Sequence, residues 1–231
     1  MSGRGGFRGA LAAAALVALA GCAAGPGLRD RDRDRVERRA EPSAVVAAEL
    51  AFARAAQEKG QWTAFAEFAD DDAVMFVPQP VRAKDWLRQQ TNPAEAVRWQ
   101  PHQVWSSCDG SLAVTKGAWQ RPNGTVGYFT TVWQRQRNGD YKWVMDQGDV
   151  LAQPLPEPEM IGATRADCGG EVAPVVMSGR DGNIRTEGRS EDGTLYWTVT
   201  ARPDGSRSVM VKLWRNGAME NVLSETVAAG G

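Results

Sequence analysis

The sequence predicts an α+β protein in which helices come first and antiparallel hairpins follow. Three observations carry this. Apolar residues recur at helical spacing between Ser43 and Ala69, the mark of amphipathic helices. Four β-rich runs then fill Val97 to Val150, divided by Asp109-Gly110, Pro122-Asn123-Gly124 and Asn138-Gly139, and Asn-Gly between such runs is a strong hairpin signal. The segment from Glu171 to Gly231 is rich in turn pairs of the same kind. At 42% hydrophobic and 24% charged residues, the composition supports a packed core. The net charge of −1 leaves no electrostatic footprint for nucleic acid. Nine tryptophans against three tyrosines read as a tryptophan-rich core, since Trp supplies large buried area with one N–H to satisfy.

Taken in order, the chain opens with Arg4 and Arg8, followed by an apolar run of 11 residues from Ala10 to Ala20. Spanning a bilayer needs about 20, so the run fits a signal-peptide core. It ends Leu19-Ala20-Gly21-Cys22, a branched apolar residue, two small ones and cysteine, which resembles the lipobox of bacterial lipoproteins. The resemblance implies cleavage after residue 21, lipid on Cys22 Sγ and stable anchoring by several acyl chains. Ala23, not aspartate, follows the cysteine, which by the same resemblance favours the outer membrane, facing the periplasm. Leu28 to Glu41 alternates six arginines with five acids; with no apolar face to bury, residues 22–42 read as a solvated spacer.

In the body, residues 43–153, Pro42-Ser43 starts a helix with Ser43 as N-cap. Val45, Ala48, Phe52 and Ala55 form its stripe, and Gly60 ends it. A second helix runs from about Gln61 to Ala69 and is stopped by Asp70, Asp71 and Asp72, three acids that read as a solvated cap rather than a metal site. Ala73 to Val77 is a short strand closed by Pro78, and Ala83 to Gln90 a third helix. Strands follow at Val97–Ser107, with Pro101 marking a bulge or edge, then Leu112–Gln120, Thr125–Arg137 and Tyr141–Val150.

The element order and two local patterns, Phe68-Ala69-Asp70-Asp71-Asp72-Ala73-Val74 and Val132-Trp133-Gln134-Arg135 with Tyr141-Lys142-Trp143-Val144-Met145-Asp146-Gln147-Gly148-Asp149, resemble the nuclear-transport-factor-2-like superfamily. The resemblance implies a cone: three N-terminal helices on a curved antiparallel sheet, with a pocket between them. It also implies, as a partner arrangement, a homodimer through the sheet. Fold does not decide function here. A steroid-isomerase-type site would place a carboxylate base where Val77 stands and a tyrosine on the first helix, whereas the first tyrosine is Tyr128. Dehydratase-type members use a His–Asp pair; the sole histidine is His102, and Asp146 is the partner that would fix its tautomer. His102 also reads as a satisfied or exposed residue beside a bulge.

What remains is an apolar pocket of the kind that takes a small hydrophobic ligand, with Trp86, Tyr128, Trp133, Trp143, Met145 and Asp146 as its candidate lining. Along the third strand of this series, Tyr128, Thr130 and Val132 share one face, and Phe129, Thr131 and Trp133 share the other. Which face meets the helices stays open, and a filled core accounts for the pattern equally well. Neither metal nor cofactor is expected.

Residues 154–231 read as a β-rich extension. Pro154, Pro156 and Pro158 stiffen the connector. Leu195–Ala201, Ser206–Arg215 and Ala218–Val227 are strands, with Trp197 and Trp214 as anchors. About 60 residues is marginal for an independent core, so the extension is expected to dock on the body. With Cys22 lipidated, Cys108 and Cys168 remain, and an even pair in an oxidising compartment suggests a disulfide; two separate buried thiols are the alternative. The reading is thus an envelope lipoprotein acting as a non-catalytic binding or interaction module. The alternative is an isomerase- or dehydratase-type enzyme acting on a small hydrophobic molecule.

Overall fold

In a computed structural model of the chain, residues 40–169 and 182–229 are described. The expected signal peptide, Cys22 and the arginine-rich spacer up to residue 39 lie outside the described residues. Helix α1 (Pro42–Lys59) begins with proline in its first turn, where a fixed φ and a missing N–H do no harm. Its N-cap is Glu41, with no side-chain bond to the helix. Ser43, expected to cap, therefore sits inside the first turn. The buried stripe is Val45, Glu49, Phe52, Ala55 and Ala56, and Gly60 closes the helix at φ 99°, a value that suits glycine.

Helix α2 (Gln61–Phe68) leads straight into strand β1 (Ala69–Phe76). Asp70, Asp71 and Asp72 are thus strand residues, not a helix cap. Asp70 accepts from Asp72 N at 3.1 Å and Gln136 Nε2 at 3.3 Å, and the other two reach cations on neighbouring elements. Arg82 at the end of β2 (Pro80–Arg82) pairs with Asp72 at 2.8 Å, and Lys84 of helix α3 (Ala83–Leu87) with Asp71 at 2.5 Å. Strands β3 (Arg98–Ser106), β4 (Leu112–Gln120), β5 (Val126–Arg135) and β6 (Tyr141–Leu151) form the antiparallel meander. The sheet grows beyond it at both ends, in the order β2-β1-β6-β5-β4-β3-β7. The strands that join the meander directly are parallel to it, β1 to β6 and β7 (Gly162–Arg165) to β3, while β2 pairs antiparallel with β1. The sheet is therefore mixed, and the expected connector contributes a strand.

The extension forms a second sheet, β11-β10-β9-β8, from β8 (Ile184–Arg189), β9 (Leu195–Ala201), β10 (Arg207–Arg215) and β11 (Ala218–Val227). Two buried clusters define three layers. One packs Val45, Phe52, Ala64 and Leu87 of the helices against Ala73, Val104, Trp133 and Trp143 of the large sheet. The other packs Leu112, Val114, Val132 and Met145 of that sheet's opposite face against Leu195, Trp197, Val199, Val211 and Leu213. The face on which a homodimer was expected is thus covered by the chain's own second sheet, and Cys108 is bonded to Cys168 with Cα atoms 5.2 Å apart.

The two sheets share a frame. Ser107-Cys108-Asp109-Gly110-Ser111-Leu112 recurs as Ser190-Glu191-Asp192-Gly193-Thr194-Leu195, Arg121-Pro122-Asn123-Gly124 as Arg202-Pro203-Asp204-Gly205, and Arg137-Asn138-Gly139 as Arg215-Asn216-Gly217. The hydrogen bonds recur with the residues. Arg121 N donates to Thr125 O, and Arg202 N to Ser206 O, both at 2.8 Å. The two Asp-Gly turns also meet. Asp109 N donates to Asp192 Oδ2 at 2.9 Å and Asp192 N to Asp109 Oδ2 at 3.0 Å, while Cys108 N reaches Thr194 Oγ1 and Glu191 N reaches Ser111 Oγ, both at 2.9 Å. The exchange is reciprocal, as across a local two-fold axis. Sheet β8–β11 repeats the meander β3–β6 and lies on it face to face.

Candidate functional site

Between the helices and the large sheet lies a cavity of about 390 Å³. Phe52 of α1, Trp62 and Phe65 of α2, Trp99 of β3, Trp119 of β4 and Phe129 of β5 supply its aromatic walls. Phe52 meets Phe65 and Trp99 edge-on, each at 4.8 Å between centroids, a favoured aromatic arrangement. Glycines make room for these rings. A Cβ at Gly127 would stand 2.2 Å from Trp119 Cζ2, and one at Gly117 2.7 Å from Phe129 Cε1. Trp119 is fixed by its own N–H, which donates to Tyr128 O at 2.8 Å, and by the Arg121 guanidinium 5.0 Å from its ring centre.

Three carboxyl groups line this space, Glu49, Asp146 and, at the rim beside Val150, Asp149. Glu49 is fully buried. It accepts hydrogen bonds from Trp99 Nε1 at 2.8 Å, Thr115 Oγ1 at 2.6 Å and Trp133 Nε1 at 3.0 Å. Burial pushes its pKa above the ordinary carboxylate value despite those donors. Asp146, opposite Thr131 in the β5–β6 ladder, accepts from Thr131 Oγ1 at 2.7 Å. Asp146 also lines the cavity. Burial raises its pKa to about 7, and the Glu49 charge adds to the rise, against the Thr131 bond and the Arg207 cation. At neutral pH Asp146 therefore stands between donor and acceptor, the state that suits proton exchange with a bound molecule.

Beyond the last β1–β6 pair, Met75 with Asp146, strand β6 runs on without a β1 neighbour, and an arginine from the second sheet closes in. Arg207 donates through Nε to Gln147 Oε1 at 3.0 Å and through Nη2 to Gly148 O, and its guanidinium lies 5.5 Å from the Phe76 ring centre. Arg207 also lines the cavity.

Of the residues expected to line a pocket, Asp146 does. The other five do not. Trp133 and Trp143 face the right way but are sealed beneath it, Trp133 as a donor to Glu49 and Trp143 as a donor to Phe65 O at 3.2 Å. A bulge in the β5–β6 pairing turns Met145 to the opposite face, among the residues between the sheets. Tyr128 faces that way too, under the Lys116 ammonium 5.2 Å from its ring centre. Trp86 packs on Trp62, centroids 5.2 Å apart. His102 makes no hydrogen bond with Asp146: β3 and β6 are separated by β4 and β5, three strand spacings or roughly 14 Å. Burial lowers the His102 pKa, while Glu157 opposes the shift. Sequence reasoning missed Glu49, Arg207 and most of the aromatic wall. One signal was present: Glu49 interrupts the stripe Val45, Phe52, Ala56, and a lone acid on an apolar helix face marks a group with buried partners.

Fold and site together define a three-layer α+β protein with an aromatic, acid-bearing cavity. No family model and no curated protein matches the chain. Solved structures give weak likenesses. One is a nuclear transport factor 2-like superfamily protein from Salmonella enterica serovar Typhimurium, 13% identical, covering 53% of this chain and 94% of that one, with TM-score 0.37. Another is the Delta 5-3-ketosteroid isomerase from a Mycobacterium species, 17% identical, covering 46% and 92%, with TM-score 0.35. A third is a conserved protein from Planctomyces limnophilus, 13% identical, covering 48% and 95%, with TM-score 0.35. Likeness at this level carries no statement about what the chain binds or does.

Proposed function

We propose that the chain is an envelope lipoprotein, tethered through lipid on Cys22. In this reading residues 43–153 form a nuclear-transport-factor-2-like cone that holds a small, largely apolar molecule, with residues 154–231 as its β-rich cover. The observation that carries the binding reading is the cavity itself: about 390 Å³, aromatic on most sides, with Asp146 as a polar group exposed to an occupant. Apolar walls with a few placed polar groups are what small-ligand sites have in common. Native mass spectrometry of the mature protein, purified gently from its own envelope, tests it. A non-covalent adduct is expected, and a clean unliganded mass from fresh material would sink the reading. Metabolic labelling with a radioactive fatty acid tests the tether: label is expected on the chain and absent from Cys22→Ser.

A second reading, catalysis by proton transfer, is favoured by one observation, the Asp146 carboxyl with a pKa of about 7. In that reading Asp146 takes a carbon-bound proton from the occupant and returns it elsewhere, while Glu49 holds the surrounding indoles in place. Deuterium from heavy water should then enter the adduct on wild-type protein and not on Asp146→Asn. Equal incorporation on both would leave binding alone.

A further inference from the structure

We propose that the cavity holds its ligand by an anionic group seated on Arg207, so that the occupant is a small aromatic or alicyclic acid rather than a neutral apolar molecule. This rests on reading the cavity as a ligand site, and names the chemistry of what enters it.

Arg207 is 2% exposed, yet both its hydrogen-bond acceptors, Gln147 Oε1 and Gly148 O, are neutral. Nη1 makes no hydrogen bond among the described residues, and no carboxylate there forms an ion pair with the guanidinium. The neighbouring carboxylate, Glu225, is already taken. It pairs with Lys116 Nζ at 2.8 Å and accepts from Thr130 Oγ1 at 2.8 Å and Gln147 Nε2 at 2.7 Å. Gln147 thus stands between the two, donating to Glu225 and accepting from Arg207, which relays polarity without neutralising the cation. Of the other acids nearby, Asp146 accepts from Thr131 and Asp149 from Val150 N; the charges of Asp149, Glu225 and Asp146 favour the Arg207 cation from a distance without any of them forming an ion pair with it. Buried charges in folded proteins are paired. A buried guanidinium on a cavity wall with no ion-pair partner among the described residues points to a counter-ion that arrives with the ligand.

The internal repeat supplies an independent argument. Arg207 opens β10 opposite Ala201, just after the turn that follows Arg202, and Val126 opens β5 opposite Gln120, just after the turn that follows Arg121. The two positions are equivalent, and the meander folds with valine there. The frame does not need an arginine at this position, and the departure falls where the second sheet meets the cavity. A planar fork also matches an oxyanion pair bidentately, and Asp146, on the same cavity, can donate to such an anion while protonated.

The test uses two fluorescent probes of nearly one shape, anilinonaphthalene sulfonate and its neutral parent, phenyl-naphthylamine, titrated into the mature protein. Wild type is expected to bind the sulfonate about tenfold or more tightly than the amine, with the preference shrinking in high salt. Arg207→Met should abolish the preference and leave the amine's affinity unchanged, and Arg207→Lys should restore part of it. Equal affinity of wild type for both probes, or an equal loss of both in a folded Arg207→Met, overturns the proposal while the ligand-site reading stands. Binding of neither probe overturns that reading and the proposal with it. Should Arg207→Met fail to fold, the wild-type ratio and its salt dependence decide.

Discussion

Strands β5 and β10 occupy equivalent places in the repeated frame, and their burial differs. From Gly127 to Trp133, β5 is buried at every position, whereas from Arg207 to Leu213 β10 alternates buried with half-buried residues. The cause is what lies on each side. The first sheet has helices on one face and the second sheet on the other, so its central strand reads as a continuous core run. Among the described residues the second sheet has a partner on one face, and Ser208, Met210 and Lys212 on the other are half-buried. The shared turns make a layer. The cavity comes from the helices, which among the described residues pack on the first copy.

The heaviest blow to this arrangement falls on the layer both copies share. Trp197→Ala, removing a side chain 4% exposed between the sheets, should cost about 3–5 kcal/mol in urea unfolding, and a cost under 1 would mean that the sheets are not coupled. Replacing Cys108 and Cys168 together by serine opens a link across 60 residues and should cost about 2–4 kcal/mol, read as the difference between the oxidised wild type and the double variant. The Asp-Gly turns then sharpen the comparison. Asp109 and Asp192 each accept four hydrogen bonds, from matching donors. Asp109→Ala and Asp192→Ala should therefore cost similar amounts, about 1–3 kcal/mol each, and less in combination than their sum. Clearly unequal costs would break the local symmetry.

The smallest effect separates the layers by pH. The folded pKa of Asp146, about 7, lies above its ordinary value of 3.8. Between those values the folded state holds a proton that the unfolded chain has released, so wild-type stability falls as pH rises from about 4 to 7 and then levels. Asp146→Asn lacks this slope, and its melting temperature relative to wild type should climb over the same interval. Parallel curves would show that Asp146 is an ordinary solvated acid.

Much of the frame was legible because turns are local chemistry. Gly60, Asn138-Gly139 and Asn216-Gly217 dictate backbone geometry wherever they sit, and they mark helix and hairpin ends. The disulfide Cys108–Cys168 was expected from parity, as the even pair left once Cys22 is set aside. What stayed hidden depends on long-range pairing. Alternation along β5 divides Phe129, Thr131 and Trp133 from Tyr128, Thr130 and Val132, but says nothing about which set meets the helices. The bulge between Trp143 and Met145 breaks the alternation that would have placed those residues. The parallel strands β1 and β7 find their neighbours across long separations, with no turn to announce them. The repeat was readable in the order of its turn pairs and needed only that order to be compared.

That repeat has a consequence for assembly. A surface that matches a near-copy of itself would ordinarily have to meet a second molecule, and would come apart on dilution. Here both halves belong to one chain, and a disulfide holds the connector between them to the first, so the encounter is intramolecular at an effective concentration of order millimolar or above. However sparsely the molecules are scattered, each one carries its counterpart with it.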